Sequence, residues 1–246
     1  MNTKRLAKFI AVCAVWILVW GILSVLVGKE LLLPSPLAVL KRLAFLIGEA
    51  AFWTNIARSL IRIMAGYFAA LALGTALGYV TAQCRLLDDL LTPAARVIRA
   101  TPVASFIMLL FVFAAKNNIP AVTSFLMVLP VVWLNIYEGV RSCDAGLLEM
   151  AKVFGLSRAG ILRNIYVPEV YPFFTAAAKV GVGLAWKAGI AAEVLVNPKF
   201  GIGTMLHDSK VYLETADLFA WTLVVIIISI ILEKLIVKYL FGRIAK

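Results

Sequence analysis

The residues able to do chemistry in this chain are few, and the most telling ones sit inside an apolar run. Lys179, Trp186 and Glu193 are spaced by sevens, and seven residues bring an α-helix almost back to the same face. The three are therefore expected to form one stripe, with Lys187 about 100° around from Trp186 at mid-depth. An ionised group at a bilayer centre costs roughly 2.5–3.5 kcal/mol on insertion scales, and such groups usually face a bundle interior or a water-filled path. The stripe is expected to line a polar path through the membrane, or its gate. Asn135 in the preceding apolar run is a further polar candidate. Spacing alone leaves a second arrangement open. Lys179 could snorkel to one surface, Glu193 could sit in the other interface, and Lys187 could pair with Glu138 or with Glu193 on another helix.

Hydrolytic and metal chemistry have little to work with. The single histidine, His207, lies outside the apolar runs, and no His-Glu-x-x-His pair exists. Cys13, Cys84 and Cys143 are too far apart to suggest a disulfide framework or a metal site. An intramembrane hydrolase needs a nucleophile beside a base, and Asp88-Asp89 is expected in a loop. The phosphate-cradling pattern Gly-x-x-x-x-Gly-Lys-Ser/Thr does not occur, so this chain is not expected to hydrolyse ATP. No catalytic residue, cofactor or metal is expected. The net charge of +11 does not point to nucleic acid. The basic residues flank apolar runs, as membrane topology requires, and form no stripe interleaved with aromatics.

The elements that must position these residues follow from composition. The 246 residues are 63% hydrophobic and 15% charged, against about 45–50% and 25% in soluble domains. The excess falls into six runs near 9–28, 62–82, 97–115, 119–138, 170–194 and 217–237, each near the roughly 20 residues that cross a bilayer as a helix. Without period-2 alternation these are helices, not barrel strands, so the fold class is all-α and polytopic. The chain is read as one transmembrane unit over 1–246, with a core at about 58–240. Fourteen Lys and Arg fall on the side of the N-terminus and eight on the other, which places both termini in the cytoplasm. Lys4, Arg5 and Lys8 start a retained first helix, not a cleaved leader.

Within the second run, Gly66, Ala70, Gly74, Gly78 and Ala82 put a small residue at every fourth position, a surface that lets another helix approach closely. Pro102 and Pro130 are expected to kink the third and fourth spans. Ser35 can cap, and Pro36 can open, an amphipathic helix over 35–47. Its apolar face carries Leu37, Leu40, Leu43, Ala44 and Ile47, so it is expected to lie on the outer membrane surface.

Residues 141–168 form the longest cytoplasmic loop. Arg141 to Phe154 reads as a helix that Gly155 ends in the left-handed conformation. Ser157 can cap a second short helix over 158–166, which Pro168 should terminate. The elbow carries Ala151, Val153, Phe154, Leu156, Ile161, Leu162 and Ile165, more apolar surface than a solvated connector needs.

The pattern Glu149-x-Ala151-x-x-x-Gly155, nine residues, then Ile165-x-x-Pro168 resembles the EAA loop of ABC importer permeases, with Met150 for the usual second Ala and Val167 for the usual Leu. Leu33-Pro34-Ser35-Pro36, Gly139-Val140-Arg141, Gly183 to Lys187 and Ala192-Glu193 are similar to signatures of the nitrate/sulfonate/taurine-type branch. The resemblance covers about 30–240. It implies a type I ABC importer permease fold with six transmembrane helices, working with two ABC ATPase subunits, a second permease subunit and an extracytoplasmic solute-binding protein; a copy of this chain is the expected second permease, with a sister permease as the alternative. It also implies coupling to the ATPase through Glu149, Ala151, Gly155, Leu156, Ser157, Arg158, Ile165 and Pro168. The expected solute is small, polar and anionic. A secondary transporter would show internal repeats with interrupted helices, and none is evident. A permease of the same family for a neutral or cationic heterocycle is the closer alternative.

Overall fold

The structure of the protein, a computed structural model, describes residues 3–241. Arg243 and Lys246, two of the basic residues counted toward the cytoplasmic side, lie outside the described residues. Among the described residues there are eleven α-helices, one π-turn and no strand, so the chain is all-α.

Three long helices make the core: α3 (Ala50–Gln83), α6 (Ile119–Arg141) and α9 (Val167–Val196). They approach as closely as the small residues allow. A Cβ at Gly66 would stand 2.1 Å from the Ala121 carbonyl oxygen, and one at Gly78 would stand 2.6 Å from that of Trp133. The small-residue stripe of α3 therefore packs on α6, as the spacing predicts. The seam between α3, α6 and α9 is filled by Ile63, Tyr67, Val128, Val132, Val182 and Trp186. Lipid supplies no hydrophobic drive between helices, so this close packing is what holds them together.

The periphery follows the sequence reading in part. The first helix, α1, covers Thr3–Val27. Ser35 caps α2 (Pro36–Ile47) by accepting a hydrogen bond from the Ala38 N–H at 3.2 Å. Val39 and Leu46 of α2 are buried against the chain, while Leu37, Leu40 and Ile47 stay exposed, free to meet lipid. Arg42 reaches Asp217 at the start of α11 (Thr215–Phe241), with Nη2 2.9 Å from Oδ2.

Two expectations need correction. The third span is not one helix: α4 (Arg85–Ala100) and α5 (Val103–Phe113) meet at a 106° bend. Pro102 cannot donate, and Thr101 before it is pushed into the extended region, with φ −78° and ψ 129°. The second span starts twelve residues earlier than expected, because Asn55, Ser59 and Arg62 find partners and the helix runs on through them. Helix α6 runs through Pro130 without a break, from Ile119 to Arg141.

Among the described residues three helices, Ala50–Gln83, Ile119–Arg141 and Thr215–Lys238, are long and apolar enough to cross a membrane, and the bent pair adds a fourth if it is one span. The 30-residue α9 is long enough, but its lysines and Glu193 dilute its hydropathy. Buried packing, not apolarity, holds it in the bundle: Trp186, Val182 and Ala185 are all enclosed.

Candidate functional site

The elbow leaves the end of α6. That helix stops at Arg141, and Asp144 caps a new helix, α7 (Ala145–Val153), by accepting from the Gly146 N–H at 2.7 Å. The expected helix from Arg141 to Phe154 is thus shorter: it starts at Ala145, after a break at 142–144. A side-chain cap at Asp144 offers the backbone a fresh start that propensity alone does not reveal.

The end of α7 is closed by a glycine turn. Gly155 sits at φ +69°. The Gly155 N–H donates to the Lys152 carbonyl and the Leu156 N–H to the Ala151 carbonyl, both at 3.0 Å. This pair of bonds is the Schellman closure, which brings the residue after the glycine back over the last helical turn. Leu156 consequently faces Ala151 across a concave site of about 270 Å³ shared with Met150, Phe154, Ile165 and Pro168. Ser157 then caps α8 (Arg158–Ile161) through the Gly160 N–H at 3.2 Å.

Pro168 does not terminate the second helix. A π-turn over Leu162–Tyr166 passes directly into α9, with Val167 N–H donating to Leu162 O. Proline in the first turn of a helix loses a donor that has no partner there anyway. The wider register of the π-turn absorbs the change. The elbow is therefore joined to the core helix α9 by an unbroken helical path.

The outer face of the elbow is unpartnered. Val153 is 85% exposed and Phe154 75%, and Glu149, Ser157 and Arg158 are also exposed. Only Ala151 of the motif is buried.

The fifth-span stripe is divided. Trp186 is buried, its indole N–H donating to the Val225 carbonyl at 3.1 Å, and Glu193 is fully buried. Lys179 and Lys187 are exposed, with Val180 and Leu184; Lys179 shares the heptad face of Trp186 but lies two turns nearer the elbow, where that face is uncovered. The heptad spacing is real, but neighbouring helices cover this face around Trp186 and Glu193 and leave it open at Lys179. Asn135 is half-buried and its amide donates to Val131 O on its own helix at 2.7 Å.

Glu193 pairs with Arg62, not Lys187. Arg62 Nη2 is 2.8 Å from Oε1, and Oε2 accepts from Ser59 Oγ at 2.6 Å and Gly203 N–H at 3.0 Å. Arg62 also donates to Phe200 O. Ser59 Oγ accepts from Ile202 N–H at 2.8 Å, and Asn55 Oδ1 from Gly201 N–H at 2.9 Å. Three successive N–H groups entering α10 (Ile202–Val211) are thus satisfied by side chains of α3 and α9, since Gly201 has no side chain to cap with. Gly201 and Gly203 are required by closeness: a Cβ on Gly203 would be 2.3 Å from Glu193 Cβ. Sequence reasoning missed Asn55 and Ser59 and counted Arg62 only as a topogenic charge. The signal was their i, i+4, i+7 spacing on one helical face.

At the other end, Asp88 of α4 accepts from Thr92 Oγ1 and from Tyr137 OH at 2.6 Å, and Arg141 donates to Tyr137 OH at 2.9 Å. The network ties the bent pair to the last turn of α6, just before the elbow.

Comparison with known proteins agrees with this architecture. The chain is 26% identical over 238 residues to the taurine transport system permease protein TauC of Escherichia coli K12, covering 94% of this chain and 86% of that protein. It is 27% identical to the nitrate import permease protein NrtB of Synechocystis, covering 91% and 84%. It is 25% identical to the bicarbonate transport system permease protein CmpB of Synechococcus elongatus, covering 77% and 68%. A crystal structure of a bacterial alginate ABC transporter with its periplasmic protein shares the fold, at TM-score 0.63 and 12% identity over 96% of this chain. Residues 70–246 match the family described as binding-protein-dependent transport system inner membrane component. The chain therefore belongs to that family, in its nitrate/sulfonate/taurine-type branch, as a multi-pass membrane transport subunit and not an enzyme.

Proposed function

We propose that this chain is the permease of an ATP-driven importer for a small anionic solute, coupled to a separate ATPase through the elbow. The observation that carries the reading is the elbow itself. It presents exposed Val153, Phe154, Glu149 and Arg158, and it runs without a break into α9. A soluble subunit that grips this surface would move α9 as a lever, biasing a bundle with two packings. The chain is one permease unit with both termini and the elbow in the cytoplasm, a placement that the Lys/Arg asymmetry supports.

Two ATPases would serve two copies of this chain, with the exposed face of α9 turned toward the second copy. Lys179 and Lys187 on that face stand about 12 Å apart along the axis. They would place positive potential along the path, where a low-dielectric surround strengthens attraction for an anion. Taurine, nitrate and bicarbonate relatives favour the same solute class. An extracytoplasmic binding protein delivers the solute, as the family description implies. Trp186 and Glu193 support this face from behind.

The test is uptake by vesicles holding the permease, ATPase and binding protein. ATP should drive uptake of an anion, and an ion gradient alone should not. Lys187→Met with Lys179→Met should slow uptake at least tenfold without preventing assembly. Unchanged uptake would remove both lysines from the path, and gradient-driven uptake would overturn the importer reading.

A further inference from the structure

We propose that a basic cup at the end of the bundle remote from the elbow binds a small oxyanion, receiving the solute before it passes between the permease subunits. The inference rests on the reading of the chain as an anion importer and assigns a site to that solute.

The cup is a cavity of about 430 Å³ between the first half of α3, the turn joining α5 to α6, and the loop joining α9 to α10. Its wall carries Arg58, Arg62, Asn117, Asn118, Lys199 and Phe200. The volume falls within the range of small-molecule sites, about 300–1,000 Å³. It lies at the N-terminal end of α6, and the elbow lies beyond its C-terminal end.

The chemistry of the wall is one-sided. Three cations line it and no carboxylate does. Glu193 offsets Arg62 from behind, yet Arg62 Nε is buried and donates to nothing. Arg58 and Lys199 enter no salt bridge among the described residues. Asn118 stands at the start of α6 without a side-chain capping bond, and its amide NH2 adds two donors to the wall. Charge and amide donors converging from three elements suit a compact ligand with several acceptor oxygens. They would repel a cation. Phe200 and Ile61 add an apolar wall, which fits the short carbon chain of a sulfonate. The glutamate clasp fixes the cup: Arg62, held by Glu193, in turn holds Phe200.

A flat, salt-dependent docking surface for an acidic protein would need exposed cations but no cavity. The concave form favours a small ligand.

The experiment uses the full chain in nanodiscs of zwitterionic lipid, titrated calorimetrically with sodium methanesulfonate or sodium nitrate at constant ionic strength. Saturable binding is expected. The Arg58→Gln/Lys199→Gln double variant should raise the half-saturating concentration by about tenfold or more, as expected for losing two charge-assisted contacts. The Arg58→Lys/Lys199→Arg variant should stay near wild type, and so should Lys210→Gln on α10, which removes a cation outside the cup. Equal binding in the wild type and the Gln double variant overturns the proposal. So does a double variant that binds the anions normally but no longer associates with the binding protein, which would make the cup a protein-docking surface. Uptake of the same anions by the assembled transporter separates the two levels. If the wild type imports neither anion, the anion-importer reading fails. If it imports them and the Gln double variant does so with the same half-saturation, only the cup fails.

Discussion

Removing Glu193 should loosen the end of the bundle where α3, α9 and α10 meet before it affects transport. Its carboxylate accepts from Ser59, Arg62 and Gly203, and the side chain is fully buried. Glu193→Ala would leave Arg62 without its counter-charge and Gly203 N–H without an acceptor. Breaking a buried ion pair from one side costs about 3–5 kcal/mol, and an orphaned buried donor about 1–3 kcal/mol. The Arg62 side chain keeps 15% exposure, so water relieves part of its charge, and we expect about 3–4 kcal/mol in all. For a chain of this length a loss of that size lowers Tm by about 10 °C. Arg62→Met should cost a similar amount. The double variant Glu193→Ala/Arg62→Met should cost less than the sum of the singles by about 1–3 kcal/mol, since no uncompensated charge remains. Thermal unfolding of the purified chain in detergent, read by loss of the monodisperse peak, measures all three. If Glu193→Ala melts within about 2 °C of wild type yet abolishes uptake, the clasp reasoning is wrong and Glu193 belongs to the path after all.

Other consequences follow from single backbone and side-chain positions. Gly155→Val should meet no steric obstacle, since nothing lies within 4 Å of its would-be Cβ, but it should strain the backbone at φ +69° by about 1–2 kcal/mol. Insertion should be normal and ATPase association or coupled uptake lost; wild-type rates in both Gly155→Val and Glu149→Lys would refute the elbow as coupling element. Gly66→Ala drives a methyl to 2.1 Å from the Ala121 carbonyl oxygen, whereas Gly21→Ala meets open space; detergent-stable yield should fall severalfold in the first and hold in the second, and equal yields would contradict the close α3–α6 approach. Burial, with the nearby Glu169 carboxylate, pushes the Cys143 thiol above its ordinary range, so its maleimide rate should be slow at neutral pH and climb as pH rises, since only the thiolate reacts. In a cysteine-free background an impermeant reagent on intact cells should label Tyr212→Cys and leave Ala159→Cys untouched; the reverse pattern would invert the orientation.

Much of the fold was legible because its signals are local. Ser35 capping α2, Gly155 closing α7 and Ser157 capping α8 depend on a few neighbouring residues, and each appears where the sequence places it. The small-residue stripe of α3 announced a close partner, though not which helix it would be. Errors came where a local signal had two meanings. Pro168 reads as a stop, but a proline in the first turn is also a start, and the π-turn before it made the second meaning true. Polar Asn55 and Ser59 read as preceding the second apolar run, and Arg62 as its first residue. They are inside a helix because their partners come from residues 193–203, more than a hundred positions away.

The sequence by itself determined an all-α membrane transport subunit with an elbow before its fifth apolar run. Run length, flanking charge and turn chemistry are properties of short segments, and the bilayer and backbone hydrogen bonding leave them few solutions. Only the tertiary structure decided which side of α9 is which. Lys179, Trp186 and Glu193 share a heptad spacing, and a helical wheel cannot say whether a face meets protein or open space. That depends on where α3, α6 and α11 pack, and they enclose Trp186 and Glu193 while leaving Lys179 and Lys187 uncovered. The pairing of Glu193 with Arg62, and the basic cup built beside it, likewise exist only once distant segments meet.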